Sequence, residues 1–140
     1  MPYLQMKVSL KPALLLLSMA GISNSVSAMT EQGAYRNLMF FQTAKSEGEY
    51  CENKLHIQAI PQQTKWRNQH ATVLSRSINT LEQHFVNDKG ASKQEVPAAM
   101  VAVWKKLEDI DKRELAGRRN FNTCIKFPES LKFYASQLVQ

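Results

Sequence analysis

The chain has 140 residues, of which 18 are basic and 12 are acidic, so its formal net charge is +6. This length is enough for one modest domain and too short for two once a leader is removed. The basic excess is mild and contains no block of Lys or Arg, which argues against a nucleic-acid-binding protein and permits attraction to acidic surfaces.

The amino terminus has the pattern of a secretory signal peptide. Lys7 and Lys11 form a positive region, an apolar run follows at 12–22, and small residues lead up to Ala28. Positive charge, an apolar stretch and a small-residue cleavage site in this order are typical of export signals. The alternative is a transmembrane anchor, which needs about 20 apolar residues, roughly twice what this run offers.

We therefore predict a cleaved signal peptide over 1–28 and a single domain over 29–140. Two Lys leave with the signal peptide, so 16 basic and 12 acidic residues remain, a net charge of +4. The expected location is the bacterial periplasm, with secretion beyond the outer membrane as a further possibility. No stable membrane span is expected after cleavage.

The chain has two cysteines, Cys51 and Cys124. A redox site favours a close pair such as Cys-x-x-Cys, whereas these two lie far apart in the chain. In an oxidising compartment, an even pair in a small domain predicts a structural disulfide.

The middle of the chain predicts two amphipathic helices. Apolar residues recur at steps of three and four from Pro61 to Asn87, and again from Val96 to Leu115. Turn-forming residues separate the two segments, and Ser92 with Glu95 makes a capping box for the second. Pro97 fits this second helix only if the helix begins a residue or two later than the box implies.

These two segments predict a helical hairpin, each arm being about 40 Å long at 1.5 Å per residue. Antiparallel packing brings the flanking Cys51 and Cys124 to the same end, where they can bond. Weaker patterns predict helices over 31–46 and from Pro128 onwards, while 47–60 is uncertain. The predicted fold is an all-α bundle of three to five helices, built on a long antiparallel hairpin with one disulfide.

No catalytic or metal-binding motif is found. His56, His70 and His84 are 14 residues apart, which on one helix separates His70 from His84 by about 21 Å, too far to share a metal ion. We expect His70 to lie near Asp109. Met39 and Met100 lie on apolar stripes, where Met usually fills a core, although a bundle holding haem through Met and His remains an alternative.

The charged run before Leu115 is typical of a solvated helix face. Pairs four residues apart are expected between Glu108 and Lys112 and between Asp109 and Arg113. Trp66 lies on a core stripe among polar neighbours, so its indole N–H is expected to reach water or a polar partner.

One local concentration of basic and polar residues stands out near the disulfide. A partner-binding site is predicted there, at Arg118, Arg119, Asn120, Asn122 and Lys126. The alternative is an ordinary solvated helix end, where Arg is favoured by the helix dipole.

Together these features predict an exported, non-catalytic interaction protein of the inhibitor, immunity or envelope-accessory type. Its partner would be another envelope protein or a second copy of itself, with no nucleic acid and no cofactor. The alternative is a carrier with a small ligand, haem or a metal inside the bundle.

Overall fold

A computed structural model describes residues 28–140. The predicted signal peptide therefore lies outside the described residues, except for its last residue, Ala28. The described chain contains six α-helices and no strand. The helices are α1 (Glu31–Leu55), α2 (Ile60–Gln69), α3 (Ala71–Asn87), α4 (Val96–Ile110), α5 (Phe121–Ile125) and α6 (Phe127–Gln137). A π-helical segment (Asp111–Leu115) and a 3₁₀ turn (Ala116–Arg118) connect α4 to α5. The predicted all-α bundle with one disulfide is confirmed.

Helix α1 is the central element, since it packs against all five other helices. It is longer than the 31–46 segment that the sequence predicts. It also has the cap that the sequence pattern did not reveal, because Thr30 Oγ1 accepts the backbone N–H of Gly33 at 3.0 Å. Its carboxyl end is capped by His56, whose φ of 56° is left-handed. This conformation lets the backbone N–H groups of His56 and Ile57 donate to carbonyls in the last turn of the helix.

The predicted helix from Pro61 to Asn87 is divided at His70. The backbone of His70 leaves helical geometry there, and its N–H is shared between the carbonyls of Trp66 and Arg67. This break allows α2 to pack against α1 and α6 while α3 packs against α1 and α4. Because of this break and the short α5, the described chain has six helices instead of the predicted three to five.

Helices α3 and α4 form the predicted hairpin, but its arms have 17 and 15 residues and are shorter than the arms of about 40 Å that the sequence predicts. The Glu95 carboxylate accepts the N–H of Ser92 at 2.7 Å, which is one half of the predicted capping box. Helix α4 nevertheless begins at Val96, so that Pro97 falls in the first turn, where a missing N–H breaks no helical hydrogen bond. The start of the helix is therefore displaced in the way that Pro97 requires.

A buried amide joins three distant parts of the chain. Asn37 in α1 is fully buried, and its Nδ2 donates to Ser77 Oγ of α3 at 3.0 Å and to the carbonyl of Val139 at 2.8 Å. Its Oδ1 accepts the N–H of Val139 at 2.8 Å. A buried amide satisfied on both atoms stabilises the bundle and fixes the carboxyl-terminal segment in place.

The disulfide joins Cys51 of α1 to Cys124 of α5, with 5.4 Å between the two Cα atoms. Helix α5 has only five residues, and a helix this short is unstable in isolation. The covalent bond and the buried position of both sulfurs therefore hold α5 against α1.

No helix in the described part of the chain combines the length and the apolar character needed to cross a bilayer.

Replacing Cys51 with Ser should destabilise the protein in oxidising buffer. The two cysteines are 73 residues apart. Without the covalent closure of a loop of that size, the unfolded chain gains conformational entropy, and the free energy of unfolding should fall by about 4 kcal/mol. For a domain of this size, the corresponding fall in Tm is roughly 15 °C. Thermal melts followed by circular dichroism would measure it. Wild type and variant should coincide in reductant, and coincidence without reductant would contradict the role of the bond.

Candidate functional site

An open groove of about 730 Å³ lies beside the disulfide. Its walls come from α1, α5 and α6 and from the segment that joins α4 to α5. All five residues of the predicted partner-binding cluster line this groove: Arg118, Arg119, Asn120, Asn122 and Lys126. The structure therefore brings them together around one concave surface.

The five residues differ in what they do there. Arg118, Asn122 and Lys126 are exposed, and neither cation forms an ion pair within the described residues. Arg119, in contrast, has a structural role, because its Nη2 donates to Asp111 Oδ1 at 2.5 Å and its side chain is only 9% exposed. Asn120 is the N-cap of α5 and accepts the N–H of Thr123 at 3.1 Å.

Three aromatic rings line the groove. The ring of Tyr134 neighbours Phe40 of α1 and Phe133 of α6, with ring centroids 5.8 Å and 6.0 Å away. Phe133 is 57% exposed, an unusual exposure for so large an apolar side chain. The groove thus offers aromatic surface to a ligand.

A buried carboxylate also lines the groove. Glu47 of α1 is only 5% exposed, and its Oε2 accepts the hydroxyl of Tyr134 at 2.5 Å. Burial raises the pKa of Tyr134 well above its usual value, and the hydrogen bond to Glu47 and the negative charge of Glu47 raise it further. Tyr134 is therefore a hydrogen-bond donor that keeps its proton.

Two carboxylates are buried in or near the groove, and only one of them has a basic partner among the described residues. Glu47 and Asp111 are acidic and buried, and Arg119 is the basic side chain that is buried with them. Arg119 is paired with Asp111, whose Oδ2 has no hydrogen-bond partner within the described residues. Glu47 therefore has no basic side chain paired with it among the described residues, while the exposed side chains of Arg118, Lys126 and Glu129 lie on the same groove.

The three histidines lie apart from the groove and from one another. His56 caps the carboxyl end of α1, and His70 lies against Trp66, with 5.2 Å between ring centroids and 53° between ring planes, instead of meeting Asp109. His84 lies between Glu31 and Asp88, at 3.1 Å and 2.7 Å. Over residues 28–140, no three His, Cys, Asp or Glu side chains are arranged to hold a metal ion.

One of the two expected ion pairs of the charged face forms, and the other does not. Lys112 pairs with Glu108 at 2.6 Å, as predicted. Asp109 pairs with Lys105 at 3.4 Å instead of with Arg113. Arg113 pairs with the adjacent Glu114 at 3.1 Å, so the second expected pair is replaced by two others.

Trp66 is more deeply buried than its polar neighbours suggest. It is 5% exposed and packs on Phe41 with 5.0 Å between centroids, and its Nε1 has no hydrogen-bond partner among the described residues. The polar partner expected for its N–H is therefore not found among the described residues, and its observed contacts are with aromatic rings.

Sequence reasoning missed the aromatic and acidic part of the groove, which comes from α1 and α6. Glu47 and Tyr134 are 87 residues apart, and no spacing pattern relates them. One signal was available: Glu47 precedes Cys51 by four residues, so both lie on one helix face. A disulfide from Cys51 to α5 places that face against the predicted cluster.

Comparison with protein-family models, with curated proteins and with solved structures finds no match to this chain.

Replacing Arg119 with Ala should destabilise the fold much more than the same change at Arg118. Without Arg119 the buried Asp111 carboxylate loses its ion-pair partner, which typically costs about 3–5 kcal/mol. The exposed Arg118 should contribute less than about 0.5 kcal/mol. Urea unfolding of the two variants measures both effects, and equal stabilities would show that the Asp111 pair is unimportant.

The pH dependence of stability should reveal the raised pKa of Tyr134. Below the ordinary tyrosine pKa of about 10, the folded and unfolded states both hold this proton, and stability from this group is fully present. Above it the unfolded chain loses the proton first, so this stability declines as the pH rises towards the folded-state pKa. The difference in free energy of unfolding between wild type and Tyr134→Phe should therefore shrink above about pH 10. A difference that stays constant would contradict the assignment.

Proposed function

We propose that this chain is an exported, non-catalytic interaction protein that receives its partner in the groove beside the disulfide. The observation that carries the proposal is the convergence of exposed cations and exposed aromatic surface, from distant parts of the chain, on one concave site. Aromatic and Arg side chains are the types most enriched where protein partners bind tightly.

Charge is unevenly distributed along the chain in a way that supports this site. Residues 116–140 contain four basic residues and one acidic residue, a net charge of +3, whereas 29–115 contain 12 basic and 11 acidic residues. This last segment also exposes Phe121, Ile125 and Phe133, each more than half exposed. A basic surface with exposed apolar groups favours a partner with acidic groups around an apolar or amphipathic contact.

The periplasmic location rests on the amino-terminal pattern and on the disulfide. Cleavage after Ala28 would leave Thr30, the N-cap of α1, in the mature chain. Disulfides persist in oxidising compartments such as the periplasm, and this one joins two elements of the groove.

A small-ligand carrier is the second candidate, and the volume of the groove favours it. About 730 Å³ lies within the range of small-molecule sites, which are largely apolar with a few polar groups. The groove contains Met39 but no His, so the Met and His pair considered for haem is not assembled there. Native mass spectrometry of periplasmic protein would detect a retained small molecule and so favour the carrier.

Site-specific photocrosslinking in living cells tests the proposed interaction. A benzoylphenylalanine at Asn122, on the groove, should crosslink one envelope protein or a second copy of this chain. The same group at Val101, which is 68% exposed on α4 and outside the groove, should not. Equal products from both positions would contradict a groove-centred function.

Charge reversal supplies the matched control. Arg118→Glu with Lys126→Glu should remove at least about nine-tenths of the Asn122 product, since like charges at an interface disfavour binding. Lys89→Glu with Lys93→Glu makes the same change in net charge at the exposed α3–α4 turn and should leave the product unchanged. A product that survives the first pair, or is lost with the second, would show that the groove charges do not select the partner.

A further inference from the structure

We infer that the groove binds a lysine or arginine side chain of the protein partner, with the cation at Glu47 and the aliphatic stem along the aromatic rings. This inference rests on the proposed function and specifies the chemistry of the partner. It depends on three features of the groove: a buried carboxylate, three aromatic rings and a basic edge.

The buried carboxylate lacks a cation. Glu47 is 5% exposed and accepts one hydrogen bond from Tyr134, which leaves most of its acceptor capacity unused. Arg119 is already engaged with Asp111. A buried charge is costly unless it is paired, so an incoming ammonium or guanidinium group would be stabilised at Glu47.

The aromatic rings match the rest of such a side chain. Phe40, Phe133 and Tyr134 line the same groove as Glu47. Aromatic faces attract cations, and the methylene stem of Lys or Arg packs on apolar surface while its charged end seeks a polar partner. An uncharged apolar side chain would fill the same space and leave Glu47 unpaired.

The basic edge of the groove determines which charges are favoured next to the inserted residue in the partner. Arg118 and Lys126 are exposed and form no ion pair within the described residues, and they outnumber Glu129, the exposed carboxylate that lines the same groove. They repel a partner that is basic throughout and attract acidic residues flanking the single cation. The expected recognition element is therefore a Lys or Arg with acidic neighbours.

Short blocked peptides test this inference on the purified mature protein. The probe is acetyl-Glu-Ala-Lys-Ala-Glu-amide, titrated while NMR follows the Met39 methyl group and the Tyr134 ring. A norleucine peptide, which keeps the stem and lacks the charge, should bind at least about tenfold more weakly. Glu47→Gln, which preserves an acceptor for Tyr134, should weaken the lysine peptide by a similar factor.

Two variants control this experiment. Glu49→Gln removes an exposed carboxylate from the same helix and should leave the affinity unchanged within about twofold. Phe133→Ala shortens a side chain that is already 57% exposed, so the fold should persist while peptide binding weakens. This second variant keeps the inference testable if Glu47→Gln proves poorly folded.

Equal binding of the lysine and norleucine peptides would overturn the inference, as would undiminished binding to Glu47→Gln or no binding at all. If n-butylammonium alone binds as tightly as the peptide, the groove recognises a small amine and the partner side chain is excluded. None of these results alters the crosslinking outcome at Asn122, so failure of this inference remains distinguishable from failure of the proposed function.

Discussion

The bond between Cys51 and Cys124 is the constraint on which the groove depends. It holds α5, a helix too short to persist alone, against the central helix α1. The residues that follow Cys124 lead directly into α6, which carries Tyr134 back to Glu47 of α1. One covalent link and one hydrogen bond therefore position three of the walls that surround the groove.

Much of the fold was predictable because local physical chemistry determines it. The α3–α4 hairpin follows from apolar periodicity, Pro97 determines where α4 can begin, and Pro128 marks the first turn of α6. The basic part of the groove was predictable for the same reason, since Arg118 and Lys126 lie close together in the sequence. The pairing of the cysteines followed from their number, their wide separation and the predicted export signal.

The features of the fold and the groove that the sequence did not predict depend on contacts between distant segments. The centrality of α1 could not be inferred, because polar residues such as Asn37 and Glu47 are buried along it and blur its amphipathic pattern. The division at His70 and the π turn at Asp111 could not be inferred either, because the apolar periodicity continues through both positions. The acidic and aromatic part of the groove needs α1 and α6 side by side, which only the tertiary structure supplies.

The Asn37 contacts have a consequence for the integrity of the chain. Most protein termini fray and can be trimmed without effect. Here the main chain of Val139 completes the hydrogen bonding of a fully buried amide. A carboxypeptidase that trimmed the chain as far as Val139 would leave the buried amide oxygen of Asn37 without its hydrogen-bond donor, so proteolysis at this surface segment would lower the stability of the core.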